Sequence, residues 1–160
     1  MSHVVDYLLE PETVVVFDID GVLAPYEFGD LCHSACPDAD WETYVRENDP
    51  YAAVEPVVLI QRLIAAKGTG RVFACSVAED YEEPGKRDFV VNGYGLPADH
   101  VVMVREKADK IACLQRLADE LAVPQRRVAL VEDTVKTLDA AMEAGDFVTV
   151  HVSSLFALAE

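Results

Sequence analysis

Two carboxylates one residue apart, Asp18 and Asp20, follow directly on the apolar run in TVVVFDIDGVLAPY, residues 13–26. Further polar groups stand behind three later apolar runs: Ser76 in VFACSVAED, Lys110 after VVMVREKAD, and Glu132 with Asp133 in VALVEDT. Taken singly, each reads as a turn former or a helix cap. Four at successive run ends point to a shared chemistry, and phosphoryl transfer would use them all. A carboxylate can attack phosphorus and carry it as an aspartyl-phosphate, splitting one difficult displacement into two. Asp18 is the candidate nucleophile. Residues one apart in an extended turn alternate sides, so Asp20 is placed to protonate the departing oxygen and later to deprotonate the attacking water. Ser76 offers a hydroxyl to a phosphate oxygen, and Lys110 offers positive charge to the phosphate and to Asp18.

Carboxylates converging on one spot raise one another's pKa unless a cation shares the site. Mg²⁺ suits an oxygen-only cluster, being hard and usually held by one or two carboxylates plus phosphate oxygens. Asp133 is the expected carboxylate ligand beside Asp18, with Glu132 acting through a water. Catalysis would then be mainly positioning and electrostatics.

Five short apolar runs would carry these groups: TVVVF at 13–17, RVFAC at 71–75, VVMV at 101–104, VALV at 128–131 and FVTVH at 147–151. β-Branched runs without alternation suit parallel strands buried on both faces. Helical patterns fill the gaps. PVVLIQRLIAAKG puts Pro56 in a first turn, Ile60, Leu63 and Ile64 on one stripe, and Gly68 at the stop. DKIACLQRLADEL aligns Ile111, Leu114, Leu117 and Leu121 behind Asp109 as N-cap. TVKTLDAAMEAG aligns Val135, Leu138 and Met142 and ends at Gly145. Strands alternating with helices predict a doubly wound parallel α/β sheet, whose ligands bind beyond the carboxyl ends of the strands.

The 160 residues suit one domain spanning 1–160, and a content of 51% hydrophobic and 26% charged residues is that of a globular chain. No apolar run approaches the roughly 20 residues that cross a bilayer. The opening MSHVVDYLLEPE lacks a basic leader, an apolar stretch and a small-residue cleavage site. No signal peptide is therefore expected, and the expected location is cytoplasmic. A net charge of −16 disfavours nucleic acid and anionic membranes as partners, yet permits a small phosphorylated metabolite bound locally at a metal ion. Cys75 and Cys113 fall on apolar patterns and read as core residues.

The set resembles the haloacid dehalogenase superfamily of phosphohydrolases. FDIDGVL matches the first motif, Ser76 the second, Lys110 the third and VEDT the fourth, in order over residues 13–150. The resemblance implies a Rossmann-like three-layer sandwich around a parallel sheet of about five strands, Mg²⁺ dependence and an aspartyl-phosphate on Asp18. It also implies that Asp20 lends its backbone carbonyl to the metal. Lys107 competes with Lys110 for the third motif. Lys110 fits better, because it begins the helix after its cap and lies at the expected distance from Asp133. One departure is Thr137, where family members often carry an acid or amide four residues after the fourth-motif aspartate. That loss would loosen the metal or shift its support to Glu132.

Family members often place a cap domain between the first two motifs. Here residues 24–54 leave room only for a flap and a helical turn, ahead of a core helix from about Glu55 to Ala66. An open site suits either a large substrate or a lid lent by another subunit of a homo-oligomer. The insert contains Cys32, His33 and Cys36, whose spacing matches no usual zinc site, so a surface loop with free thiols is expected. Trp41, Tyr44 and Tyr51 read as packing beneath the insert, and Lys86 and Arg87 as a solvated helix face. NGYGLPADHVVMVREKADK is loosely similar to the phosphatase domain of phage-type polynucleotide kinases, which would make a nucleic-acid 3′-phosphate the substrate. The acidic balance and the lack of a basic patch argue against that. A phosphate-accepting receiver domain would place the accepting aspartate and the lysine in a different strand order. The remaining rival is a non-catalytic binding or regulatory domain of the same fold, which Thr137 supports and the retained Asp18, Asp20, Ser76, Lys110 and Asp133 oppose.

Overall fold

Each of the five apolar runs is a strand in the computed structural model, which describes residues 3–25 and 38–158. In chain order the elements are α1 (His3–Leu9), β1 (Val14–Phe17), α2 (Trp41–Asn48), α3 (Pro50–Ala53), α4 (Val58–Lys67) and β2 (Val72–Val77). They continue with α5 (Glu83–Tyr94), β3 (Val101–Val104), α6 (Lys107–Glu120), β4 (Val128–Glu132), α7 (Val135–Ala144) and β5 (Val148–His151). The strands form one parallel sheet in the order β3-β2-β1-β4-β5. The chain builds outward from β1 to β3, then returns to build β4 and β5 on the other side. The switch of direction falls beside β1, where such sheets open a crevice at their carboxyl ends.

Burial explains the unbroken apolar runs. All four residues of β1 are buried, because helices cover both faces of the sheet. Val15 and Phe17 face one layer, packed with Val5 and Leu8 of α1, Ile60 and Leu63 of α4, and Phe89 and Val90 of α5. Val14 and Val16 face the other, against Cys113, Leu114 and Leu117 of α6 and Leu138 and Ala141 of α7. Full burial of a leucine such as Leu114 contributes about 2–3 kcal/mol.

Four local expectations change. Helix α4 begins at Val58 behind Val57, so Pro56 lies in its lead-in and not in its first turn. Asp109 is not the N-cap of α6: Glu106 is, and Asp109 at the third helical position returns a bond to the Glu106 N–H in a capping box. In α7 the buried residues are Thr137, Leu138 and Ala141, while Val135 and Met142 are each 59% exposed. Small side chains are what this helix turns inward. In the insert, the described residues 38–54 hold a 3₁₀ turn at 38–40 followed by two helices, α2 and α3. Asp49, between them, adopts φ +40°, and Pro50 opens α3. Cys32, His33 and Cys36 lie outside the described residues.

The segments converging on the carboxyl edge are tied together. Tyr94 donates its hydroxyl proton to the Leu23 carbonyl at 2.6 Å and accepts the Val57 N–H at 2.8 Å. Burial pushes that phenol well above its usual pKa. Gly93 lets α5 approach the lead-in to α4, since a Cβ there would sit 2.8 Å from Pro56 Cγ. Among the described residues no helix is long and apolar enough to cross a membrane.

Candidate active site

β1 hands its last backbone ladder bond to Asp18, whose N–H donates to the Val131 carbonyl at 2.9 Å. The carboxylate is thereby fixed at the tip of the central strand and is only 7% exposed. Its Oδ1 accepts the Ile19 N–H at 2.8 Å and faces Lys110 Nζ at 2.9 Å. Lys110 is brought from the first turn of α6 and is 2% exposed. Its ammonium also donates to Glu132 Oε2 at 2.7 Å. Of the two competing lysines, Lys110 reaches the carboxylates and Lys107 is exposed.

Glu132 ends β4 fully buried. Its Oε1 accepts the N–H groups of Asp133 and Thr134, both at 3.2 Å, so it shapes the loop that presents Asp133. Donor oxygens of Asp18, Glu132 and Asp133 lie within 4.8 Å of one another. Burial pushes the Asp18 carboxyl up to about pKa 6, with Glu132 adding to the shift and the Lys110 charge opposing it. Burial pulls Lys110 down, but the two carboxylates outweigh it and leave its pKa above the usual value. Three carboxylates stand against one ammonium, and their hard oxygen donors suit a hard metal cation.

After Asp18 the chain reverses within residues 19–24. The N–H of Ala24 donates to the Ile19 carbonyl at 2.8 Å and the N–H of Gly21 to the Ala24 carbonyl at 2.9 Å, with Gly21 at φ +77°. This turn aims Asp20 away from Lys110. Asp20 Oδ1 accepts the Tyr51 hydroxyl at 2.8 Å, and Oδ2 accepts Lys86 Nζ at 2.7 Å. Lys86 is therefore buried at 1% exposure, not part of a solvated face. Arg87 beside it is partly exposed and pairs with Glu83 and with the Ala98 and Val101 carbonyls. Tyr51 touches the Asp20 carboxylate besides packing its ring. Trp41 stacks on Tyr44 and donates its indole N–H to Glu82 at 2.9 Å.

Ser76 is 1% exposed on β2, two residues past Ala74, the register partner of Phe17. It stands level with the Asp18–Asp20 turn. Thr137 is buried in the first turn of α7, and its hydroxyl has no hydrogen-bond partner among the described residues. The site thus unites Asp18, Lys110, Glu132 and Asp133, with Asp20 on an adjoining network of its own. One contributor was misread in the sequence as a solvated residue and another went unread. Lys86 heads the stripe Lys86, Phe89, Val90 and Tyr94, whose helical spacing was the available signal. His151 ends β5 and accepts the Ser153 N–H at Nδ1 (3.3 Å), which leaves Nε2 to donate to the Asp133 carbonyl at 3.1 Å.

No protein-family model matches the sequence, and no curated protein matches it. Solved structures do. DsGPDH of Dunaliella salina superposes with a TM-score of 0.57 at 19% identity, over 91% of this chain but 24% of that one, so the chain spans about a quarter of that protein. A HAD family hydrolase from Deinococcus radiodurans R1, solved with bound phosphate and sodium, gives 0.53 at 15% identity over 93% of this chain and 96% of its own. A haloacid dehalogenase-like family hydrolase from Xanthomonas campestris gives 0.50 at 13% identity over 83% and 78%. At these identities the likeness is one of fold.

Proposed function

We propose that this chain, whose fold is that of the haloacid dehalogenase-like hydrolases, is a Mg²⁺-dependent phosphatase acting on phosphomonoesters. The observation that carries the reading is the buried Asp18 carboxylate at the tip of the central strand, 2.9 Å from Lys110 and grouped with Glu132 and Asp133. A neighbour in fold that holds phosphate and sodium is in keeping with a site for a phosphate and a cation.

In this reading Lys110 holds Asp18 ionised and oriented. A carboxylate oxygen of Asp18 forms a bond to phosphorus as the ester P–O bond breaks, and Asp20 gives its proton to the departing oxygen. Water then attacks the aspartyl-phosphate, Asp20 takes its proton, and inorganic phosphate leaves with Asp18 restored. Ser76 donates its hydroxyl to a phosphate oxygen. Asp18, Asp133, Glu132 and the Asp20 backbone carbonyl are the groups that would hold Mg²⁺, which when bound supplies positive charge against the phosphate oxygens. The substrate class is a small phosphorylated metabolite, met in the cytoplasm, and a second copy of the chain is the candidate lid.

The test is hydrolysis of a generic aryl phosphate with Mg²⁺ and with chelator, beside Asp18→Asn. Turnover with Mg²⁺ that vanishes on chelation and in the variant is the expected result. A folded, Mg²⁺-binding protein that turns over neither the aryl ester nor a panel of phosphorylated metabolites would be a binding module instead.

A further inference from the structure

Lys86 takes no part in the phosphoryl transfer itself, yet it is among the most buried charged groups of the molecule. Removing an ammonium from water costs several kcal/mol unless partners compensate. Its helical neighbours Phe89 and Val90 show what the face would otherwise hold. The compensation is specific. The Lys86 ammonium donates to Asp20 Oδ2 at 2.7 Å and to the Val77 carbonyl at 2.6 Å, with Glu82 Oε1 at 3.7 Å and the Tyr51 ring at 5.7 Å. Tyr51 donates to the other Asp20 oxygen at 2.8 Å.

We propose that Lys86 and Tyr51 are positioning residues that hold the Asp20 carboxyl group for proton transfer to the departing oxygen, a role that rests on the phosphatase reading. Two donors arriving from α5 and α3 clamp the group at both oxygens, and each oxygen keeps a second lone-pair direction for the substrate. The Val77 carbonyl follows Ser76 on β2, so the same ammonium registers Asp20 against the strand that carries the phosphate-binding hydroxyl. As Asp20 releases its proton, negative charge develops on a group already facing an ammonium and a hydroxyl, which need not reorganise. A purely structural lysine would anchor the insert without regard to what leaves from phosphorus.

The leaving group separates the two roles. An alkoxide departs from an alkyl phosphate only with a proton, whereas dinitrophenolate departs without one. The measured quantity is kcat/KM, which covers the step in which the ester bond breaks. Lys86→Met is expected to lose about 100-fold on the alkyl phosphate and to stay within about threefold of wild type on dinitrophenyl phosphate. Tyr51→Phe, which removes one hydroxyl, should show the same selectivity at about 10-fold. Circular dichroism checks that each variant is folded, and if Lys86→Met is not, Tyr51→Phe decides alone. Equal losses on both esters, or undiminished turnover of the alkyl ester, overturn the positioning role. Wild type inert on both esters and on the panel of phosphorylated metabolites, or Asp18→Asn as active as wild type, overturns the phosphatase reading and with it this role. With wild type active and Asp18→Asn silent, a failure belongs to Lys86 and Tyr51 alone.

Discussion

Asp18 makes its site work against the fold that holds it. Its carboxyl is pushed up to about pKa 6 by burial, from an ordinary value of 3.8. Between those values the folded chain holds a proton that the unfolded chain has released, so stability falls as pH rises through that window. The loss attributable to this group is on the order of 2–3 kcal/mol. Thermal unfolding in chelator, wild type beside Asp18→Asn, checks it. The variant should gain on wild type as pH rises from about 4 to 6 and then hold a constant margin, whereas a margin independent of pH would show that Asp18 titrates normally. The two aspartates stood out because charge set at the end of an apolar run carries a desolvation cost that an ordinary strand end avoids, whereas Lys110 stood out only by its place at the start of a helix and its distance from Asp133. Lys86 did not, since the acids around it in EDYEEPGKRDF suggest a solvated helix. Only its phase with Phe89 and Val90 gives it away.

Helix α6 shows how an element delivers a charged side chain to the proposed site. Lys110 reaches Asp18 because the first turn is held by the reciprocal bonds of Glu106 and Asp109, while Leu114 and Leu117 seat the rest on the sheet. Asp109→Ala removes one half of that box and should cost about 1 kcal/mol in urea unfolding at unchanged m, with kcat/KM within about threefold of wild type. A larger fall in activity at the same stability would mean that the cap also sets the place of Lys110. The strands were readable because parallel strands covered on both faces need apolar residues at every position, and β1 and most of β4 have them. The buried face of α7 was not. Val135 and Met142 share a helical phase with Leu138 but stand in solvent, and the close packing falls to Thr137 and Ala141. Hydrophobicity marks a stripe, and the size of the gap decides which residues fill it. The contact of Tyr51 with Asp20 spans 31 positions and has no local signature.

Across the whole molecule, a charge of −16 surrounds a site proposed to receive an anion. Net repulsion slows the approach of an anionic ester, and salt screens it over a Debye length of about 10 Å at 0.1 M. Raising NaCl from about 10 to 150 mM at fixed Mg²⁺ should therefore raise kcat/KM about two- to threefold. A fall instead would reveal a local basic field that draws the substrate in. The insert helices bear on this same approach, because α3 reaches Asp20 through Tyr51 and α2 reaches the start of α5 through Trp41 and Glu82. Trp41 is the one tryptophan in the chain. Its indole emission thus comes from the seam between insert and core alone, a built-in optical signal whose wavelength follows the exchange of Glu82 for water whenever that seam parts.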